Sequence, residues 1–235
     1  LTKSLKYLNF ISIISKLLNL NFSHIPLYTS KHYQLDPNST IRKFTLMANL
    51  AALKNVPTKP FIYNSLLPNI QHFKIPPHYI VVKPTTKPSH KGKNFPVEKF
   101  NQILKSVKTI NPSVKFVYCG QKNDPTLNYI DFDLRGFTSI LELISIIKKS
   151  TYYLGIVGAH MHISAIFNKP SIIFYGGNEI PETDLYYKHI NLTQETHCSP
   201  CRLKICTSQY LCMYQFKNSR IVEKILNRWH EVVLR

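Results

Sequence analysis

At 235 residues the chain is long enough for one large domain or two small ones. A hydrophobic share of 44% with 12% aromatic residues supplies a sizeable core and excludes a wholly disordered chain. The formal net charge of +18 disfavours cationic partners and favours an anionic one: nucleic acid, anionic lipid or a phosphorylated small molecule.

The basic N-terminal stretch comes first. Asp36 is the only acidic side chain within residues 1–70, and every glycine lies at Gly92 or later. A first third without glycine turns, in a chain that opens on Leu1, suggests a missing N-terminal portion, or a non-standard start read literally. No run of about 18 uncharged apolar residues occurs, so no spanning helix is expected. Residues 5–22 (LKYLNFISIISKLLNLNF) carry polar residues at Lys6, Asn9, Ser12, Lys16 and Asn19, a helical stripe that reads as a core-packing amphipathic helix. Lys16 and the asparagines also argue against a signal peptide. A second helix is predicted over TIRKFTLMANLAAL, capped by Ser39 or Thr40. Residues 54–77 hold Pro57, Pro60, Pro68, Pro76 and Pro77 and read as an irregular connection.

From residue 78 the pattern becomes regular. HYIVVKP (78–84) is a short β-branched run, a buried strand. PVEKFNQILKSVKTI (96–110) has helical spacing, with Pro96 suited to a first turn. VKFVYCG (114–120) is a strand, TSILELISIIKKS (138–150) an amphipathic helix with lysines at its end, and TYYLGIV (151–157) a strand. HMHISAIFN is a short helix, KPSIIFYGG a strand, and SRIVEKILNRWHEVVLR (219–235) the last helix. This alternation predicts an α/β fold, a Rossmann-like parallel sheet covered on both faces. The expected division is 1–75 as a partial, mainly helical N-terminal region with a linker, 76–216 as the sheet domain, and 217–235 as a C-terminal helix.

In such sheets ligands bind beyond the carboxyl ends of the strands. After the first strand come Lys83, Thr85, Thr86, Lys87, Ser89, His90, Lys91 and Lys93, hydroxyl and ammonium groups suited to phosphate oxygens. After the second come Gly120, Gln121 and Asp124. Gly158 and Ala159 follow the third, with His160 and His162, at a helix N-terminus whose free N–H groups face the crevice. Gly176, Gly177 and Asn178 follow the fourth. Together these loops outline one anion-binding cleft.

The same residues carry a resemblance. The order of motifs over roughly 78–230, and more weakly from about 25, resembles the C-terminal half of family 9 glycosyltransferases, the heptosyltransferase-like enzymes. VVKPTTKPSHKGKNFPVEKF is similar to the family's strand, Thr/Ser phosphate segment and Lys-x-Trp-Pro element, with Phe95 in place of tryptophan. FVYCGQKNDP is similar to its strand-Gly-Gly-x-x-Glu segment, with Asp124 as the nearest acid. In the segment ending KPSIIFYGG, His162 falls on the family histidine, Lys169 and Pro170 on its Lys-Pro, and Gly176 on its glycine. The resemblance implies the GT-B architecture, two Rossmann-like domains with the nucleotide-sugar donor held mainly by the second. It assigns donor binding to Thr85, Thr86, Lys93, Gln121, Gly158, Ala159, His162 and Gly176, and reads His160 as a neighbour pointing elsewhere. Val157 stands where the family has an Asp or Glu that holds sugar hydroxyls. The family's N-terminal domain, which carries the catalytic base, is not recognisable, so no catalytic residue is named.

The expected function is therefore transfer of a sugar, heptose by resemblance, from a nucleotide-sugar donor such as ADP-heptose to a bacterial lipopolysaccharide, surface glycan or protein. The enzyme would work in the cytoplasm, with peripheral contact to anionic membrane lipid. No cofactor is required if lysines neutralise the departing diphosphate. Two rivals stay open: a truncated or degenerate domain that catalyses nothing, and a basic nucleic-acid binder, disfavoured because no such motif is present. Four cysteines, Cys198, Cys201, Cys206 and Cys212, follow the spacing C-x2-C-x4-C-x5-C. Thiolates at that spacing suit a structural Zn or Fe; two disulfides or free thiols are the alternatives. Cysteine-rich inserts in some family members, described as iron-binding, favour the metal by resemblance. Cys119 lies inside a strand and reads as core.

Overall fold

The β-branched run around Val81 becomes the middle of a sheet. In a computed structural model, which describes residues 62–86, 92–177, 179, 181, 186, 188–201, 203 and 206–233, six strands form that sheet. They are β1 (Ile80–Lys83), β2 (Phe116–Tyr118), β3 (Phe132–Asp133), β4 (Tyr152–Ile156), β5 (Ile172–Phe174) and β6 (Ile190–Leu192). Their order is β3-β2-β1-β4-β5-β6, and every neighbouring pair is parallel. The helices are α1 (Val97–Ile110), α2 (Ile140–Lys149), α3 (Ala159–Ile166), α4 (Leu211–Tyr214) and α5 (Asn218–Val233). This is the Rossmann-like arrangement expected from the alternation of strands and helices. All these elements lie within the compact unit Lys59–Arg235.

Strand periodicity decides the two faces. Ile80 and Val82 point to one side, where α1 contributes Phe100, Ile103, Leu104 and Val107 and α5 contributes Ile221, Ile225 and Trp229. Val81 points to the other, against Ile146 and Ile147 of α2 and Met161 and Ala165 of α3. Each fully buried side chain of this kind stabilises the fold by about 1.5–3 kcal/mol. Two tyrosines tie helices to strands through hydroxyl donors: Tyr152 to the Ile225 carbonyl at 2.9 Å and Tyr79 to the Ile146 carbonyl at 2.7 Å. Helix α2 begins at Ser139, whose side chain accepts from the Glu142 N–H while Glu142 reaches back to the Ser139 N–H. Its other end is closed by Lys169, whose ammonium donates to the Ser150 carbonyl at 2.6 Å. The lysine of the Lys-Pro pair thus ties the start of β5 to the end of α2.

The expected strands centre on β1, β2, β4 and β5, and the expected helices over 96–110, 138–150, 160–168 and 219–235 on α1, α2, α3 and α5. Strands β3 and β6 have two and three residues and no fully buried position, so neither leaves a continuous apolar run in the sequence. The irregular connection holds two single 3₁₀ turns, Asn64–Leu66 and Gln71–Phe73. The helices expected over 5–22 and 40–53 lie outside the described residues.

Candidate functional site

From β1 the chain steps outward to β2 and β3, then returns to β4 and steps the other way. The carboxyl ends of β1 and β4 therefore part at a topological switch point, where such sheets open a crevice. A cleft of about 320 Å³ lies there. Lys83, Thr85 and Thr86 line it from β1; Gly120, Gln121 and Asp124 from the β2 loop; Ser139 and Ile140 from the start of α2. Tyr153, Ile156 and Val157 of the β4 end, with Gly158, Ala159 and His160 of the α3 start, complete it.

The floor is charged. Lys83 forms an ion pair with Asp124 Oδ2, with side chains 12% and 9% exposed. The same oxygen accepts from the Gln121 N–H at 2.6 Å. Gly120 makes room for this arrangement, because a Cβ there would collide with the Asp124 carboxylate. Burial lowers the Lys83 pKa, opposed by its bond to Asp124. Behind the pair stands Tyr118, its hydroxyl pushed up to about 12 by burial and its ring flanked by Lys83 Nζ at 5.7 Å and the Arg135 guanidinium at 5.2 Å. Thr85 Oγ1 is sealed from solvent beside the Tyr118 hydroxyl.

The wall is formed by the start of α3. No side chain caps this helix at Gly158, so its first N–H groups have no side-chain acceptor and suit an anion. A Cβ at Gly158 would meet nothing within 4 Å. His160 is buried; its Nε2–H donates to the Cys119 carbonyl at 3.2 Å and its ring stacks on Tyr153 at 5.7 Å. Burial, aided by the Lys83 charge, lowers its pKa to about 4. A cation, uncapped N–H groups and hydroxyls can hold a phosphate-bearing ligand and stabilise a departing diphosphate.

Five of the eight expected donor-binding residues line this cleft: Thr85, Thr86, Gln121, Gly158 and Ala159. Lys93, His162 and Gly176 do not. Lys93 pairs with Glu179. His162 Nδ1 lies 2.8 Å from the Tyr186 hydroxyl. Gly176 packs on α4, where a Cβ would approach Met213 Cε to 2.6 Å. The two histidines exchange the positions expected of them, because two residues along a helix turn the side chain through about 200°. His160 takes the cleft side, and His162 turns to Tyr186. Lys87, Ser89, His90, Lys91 and Asn178 lie outside the described residues.

The four clustered cysteines sit elsewhere, around the Gly176–Gly177 turn after β5. A Cβ on Gly177 would lie 2.7 Å from Cys201 Sγ. Cys206 Sγ accepts from the Tyr210 N–H at 3.0 Å. Cys212, on α4, has its pKa raised by burial and then by Cys206, Cys198 and Cys201, so the other three are within electrostatic reach. The Cys198 pKa is lowered by hydrogen bonds from Thr196 and Ser208. None of the five cysteines of the chain is in a disulfide. Among the described residues no three His, Cys, Asp or Glu side chains stand close enough together to hold a metal ion. The four sulfurs are of the type thiophilic metals take, but as placed they do not converge on one point. Cys119 is buried in β2's continuation, its thiol pushed up to about 12 by that burial. Among the described residues no helix is long and apolar enough to cross a membrane.

Three solved structures share the fold. A family 9 glycosyl transferase from Veillonella parvula superposes with a TM-score of 0.61 at 14% identity, covering 84% of this chain and 62% of that one. The ADP-heptose lps heptosyltransferase II of E. coli gives 0.54 at 14% identity, covering 77% and 57%. TibC, a dodecameric iron-containing heptosyltransferase from enterotoxigenic E. coli, solved with ADP-D-β-D-heptose, gives 0.57 at 11% identity, covering 77% and 52%. The chain thus spans little more than half the length of these proteins. No curated protein matches it. The family model for glycosyltransferase family 9 (heptosyltransferase) matches residues 26–211, most of the chain, and the chain belongs to that family.

Proposed function

We propose that the cleft between β1 and β4 holds a nucleotide-sugar donor and that the chain serves a glycosyl transfer. The observation that carries this reading is the convergence of Lys83, Thr85, Thr86 and the uncapped start of α3 on one crevice at the switch point. In the reaction an acceptor hydroxyl oxygen bonds to the anomeric carbon as the bond from that carbon to the diphosphate oxygen breaks. The bonding pair leaves with the diphosphate, whose charge Lys83 and the α3 N–H groups offset. The acceptor's proton passes to a base that none of the cleft residues supplies in this reading.

ADP-heptose is the proposed donor, supported by family membership and by the ligand of TibC. A lipopolysaccharide, surface glycan or protein is the proposed acceptor, approached in the cytoplasm beside anionic lipid, which the net charge favours. The cysteines would hold a structural Zn or Fe with no part in catalysis, and metal content of the purified protein tests that. One observation favours a second reading, a donor-type domain without transferase activity: Val157 lines the cleft and offers no hydrogen bond to a sugar.

Thermal unfolding with ADP, UDP and ADP-heptose decides. A ligand at 100 times its Kd stabilises by about 2.7 kcal/mol, which at this size raises Tm by roughly 5–10 °C. Protection with turnover supports the transferase. Protection without turnover supports the second reading, and no protection by any of the three removes both.

A further inference from the structure

The cleft contains an acceptor that charge alone does not reveal. His160 Nε2 faces the Cys119 carbonyl at 3.2 Å, and a carbonyl can only accept, so Nε2 carries the proton. The ring is clamped between that carbonyl and the face of Tyr153, with 8% of the residue exposed. Burial keeps the imidazole neutral at neutral pH. Its Nδ1 then bears a lone pair. Among the described residues nothing donates to Nδ1, the atom is not sealed from solvent, and the residue lines the cleft. The surrounding groups are mostly donors or already engaged. Lys83 is a cation, the α3 N–H groups donate, and the Tyr153 hydroxyl donates to the Ile156 carbonyl at 2.9 Å. A phosphate needs donors; a fixed neutral acceptor beside them suits the hydroxyl of a sugar or ribose.

We infer that His160 Nδ1 accepts a hydrogen bond from a hydroxyl of the bound nucleotide sugar and so selects its orientation. This rests on the proposed donor site. The side chain is held ready, because the Cys119 bond and the Tyr153 stack fix tautomer and ring plane before the ligand arrives. Val157, three residues earlier in the same wall, leaves that role to the imidazole.

Calorimetric titration of ADP and ADP-heptose into the wild-type chain, His160→Phe and His160→Gln tests it. Loss of one neutral hydrogen bond weakens binding by about three- to tenfold. A loss for both ligands with His160→Phe puts the hydroxyl on the ribose, and 2′- or 3′-deoxy-ADP then shows no further loss in the variant. A loss for ADP-heptose alone puts it on the transferred sugar. His160→Gln, which keeps a donor and an acceptor, is expected to recover part of the affinity. Should His160→Phe not fold, His160→Ala makes the same comparison. Wild-type affinity in the folded variant, within twofold for both ligands, overturns the inference while leaving the donor site intact. Absence of binding by the wild-type chain overturns both.

Discussion

Two corners of the sheet's carboxyl edge differ in how they are built. At the β1/β4 switch point the side chains hang from strand ends and a helix start, whose backbone sets where they begin. After β5, the four cysteines hang from the connection to α4, and their spacing is more conspicuous than their arrangement. The first corner has a cleft and an ion pair without any unusual residue type. The second has a distinctive residue type without a closed set of ligands. Topology therefore locates a site more firmly than composition does, and the two corners should respond differently to substitution.

The largest difference is expected from filling space. Gly158 has open room where a Cβ would sit, and its φ of 164° is extended backbone that any residue adopts. Gly158→Phe should leave Tm within a few degrees and abolish nucleotide protection. Gly177→Phe, against Cys201, should lower Tm and leave the cleft's ligand response in place wherever the chain folds. Equal loss of nucleotide binding in both would mean that the corners are not independent.

Next comes the ion pair. Lys83→Ala strands the Asp124 carboxylate in a mostly buried position, and breaking such a pair costs about 3–5 kcal/mol. Because both side chains keep some exposure, the lower figure is expected. Lys83→Met with Asp124→Asn should recover most of the stability but not nucleotide binding. Urea unfolding separates the two outcomes, and recovery of both would remove Lys83 from the site.

His160 adds a pH dependence on the acid side of neutrality. Its folded pKa is lowered to about 4, from an ordinary value near 6.5. Between those values the unfolded chain binds a proton that the folded chain refuses, so stability rises with pH across the window. The contribution is fully present above about pH 6.5 and is lost as pH falls towards 4, by at most about 3 kcal/mol. The slope of unfolding free energy between pH 4 and 6.5 should flatten in His160→Phe. An unchanged slope would mean that His160 is not buried neutral.

What could be read beforehand follows the same division. β1, β2, β4 and β5 were legible because buried parallel strands are continuous apolar runs, and Thr85, Thr86, Gln121, Gly158 and Ala159 followed from standing at their ends. The Lys83–Asp124 pair joins residues 41 apart in sequence, and only the pairing of β1 with β2 brings them together. The resemblance chose His162 for the donor and turned His160 elsewhere, whereas His160 lines the cleft; which of the two does so depends on the phase of α3, set by the residue at which it begins, and helix ends are the least legible feature of a sequence. Lys93 illustrates a contact that the sequence does not announce. A lysine in a basic loop suits phosphate, but its partner Glu179 lies beyond β5 and no local pattern announces it.

The smallest effect is expected at the cysteines, and it decides what that corner is. With free thiols, Cys206→Ser loses one weak hydrogen bond from the Tyr210 N–H, and the cost is about 1 kcal/mol or less. With a bound metal the same substitution removes a ligand, and structural metal sites contribute folding free energy outright. A chelator then separates the cases without any mutation, since it leaves the Tm of a thiol-only protein unchanged and lowers that of a metal-bound one. If the chelator lowers Tm while ADP protection survives, the cysteine corner is a staple independent of the cleft. If protection is lost as well, the path between them is short: Gly176 and Gly177 follow β5, β5 pairs with β4, and β4 carries Val157 and the start of α3 into the cleft.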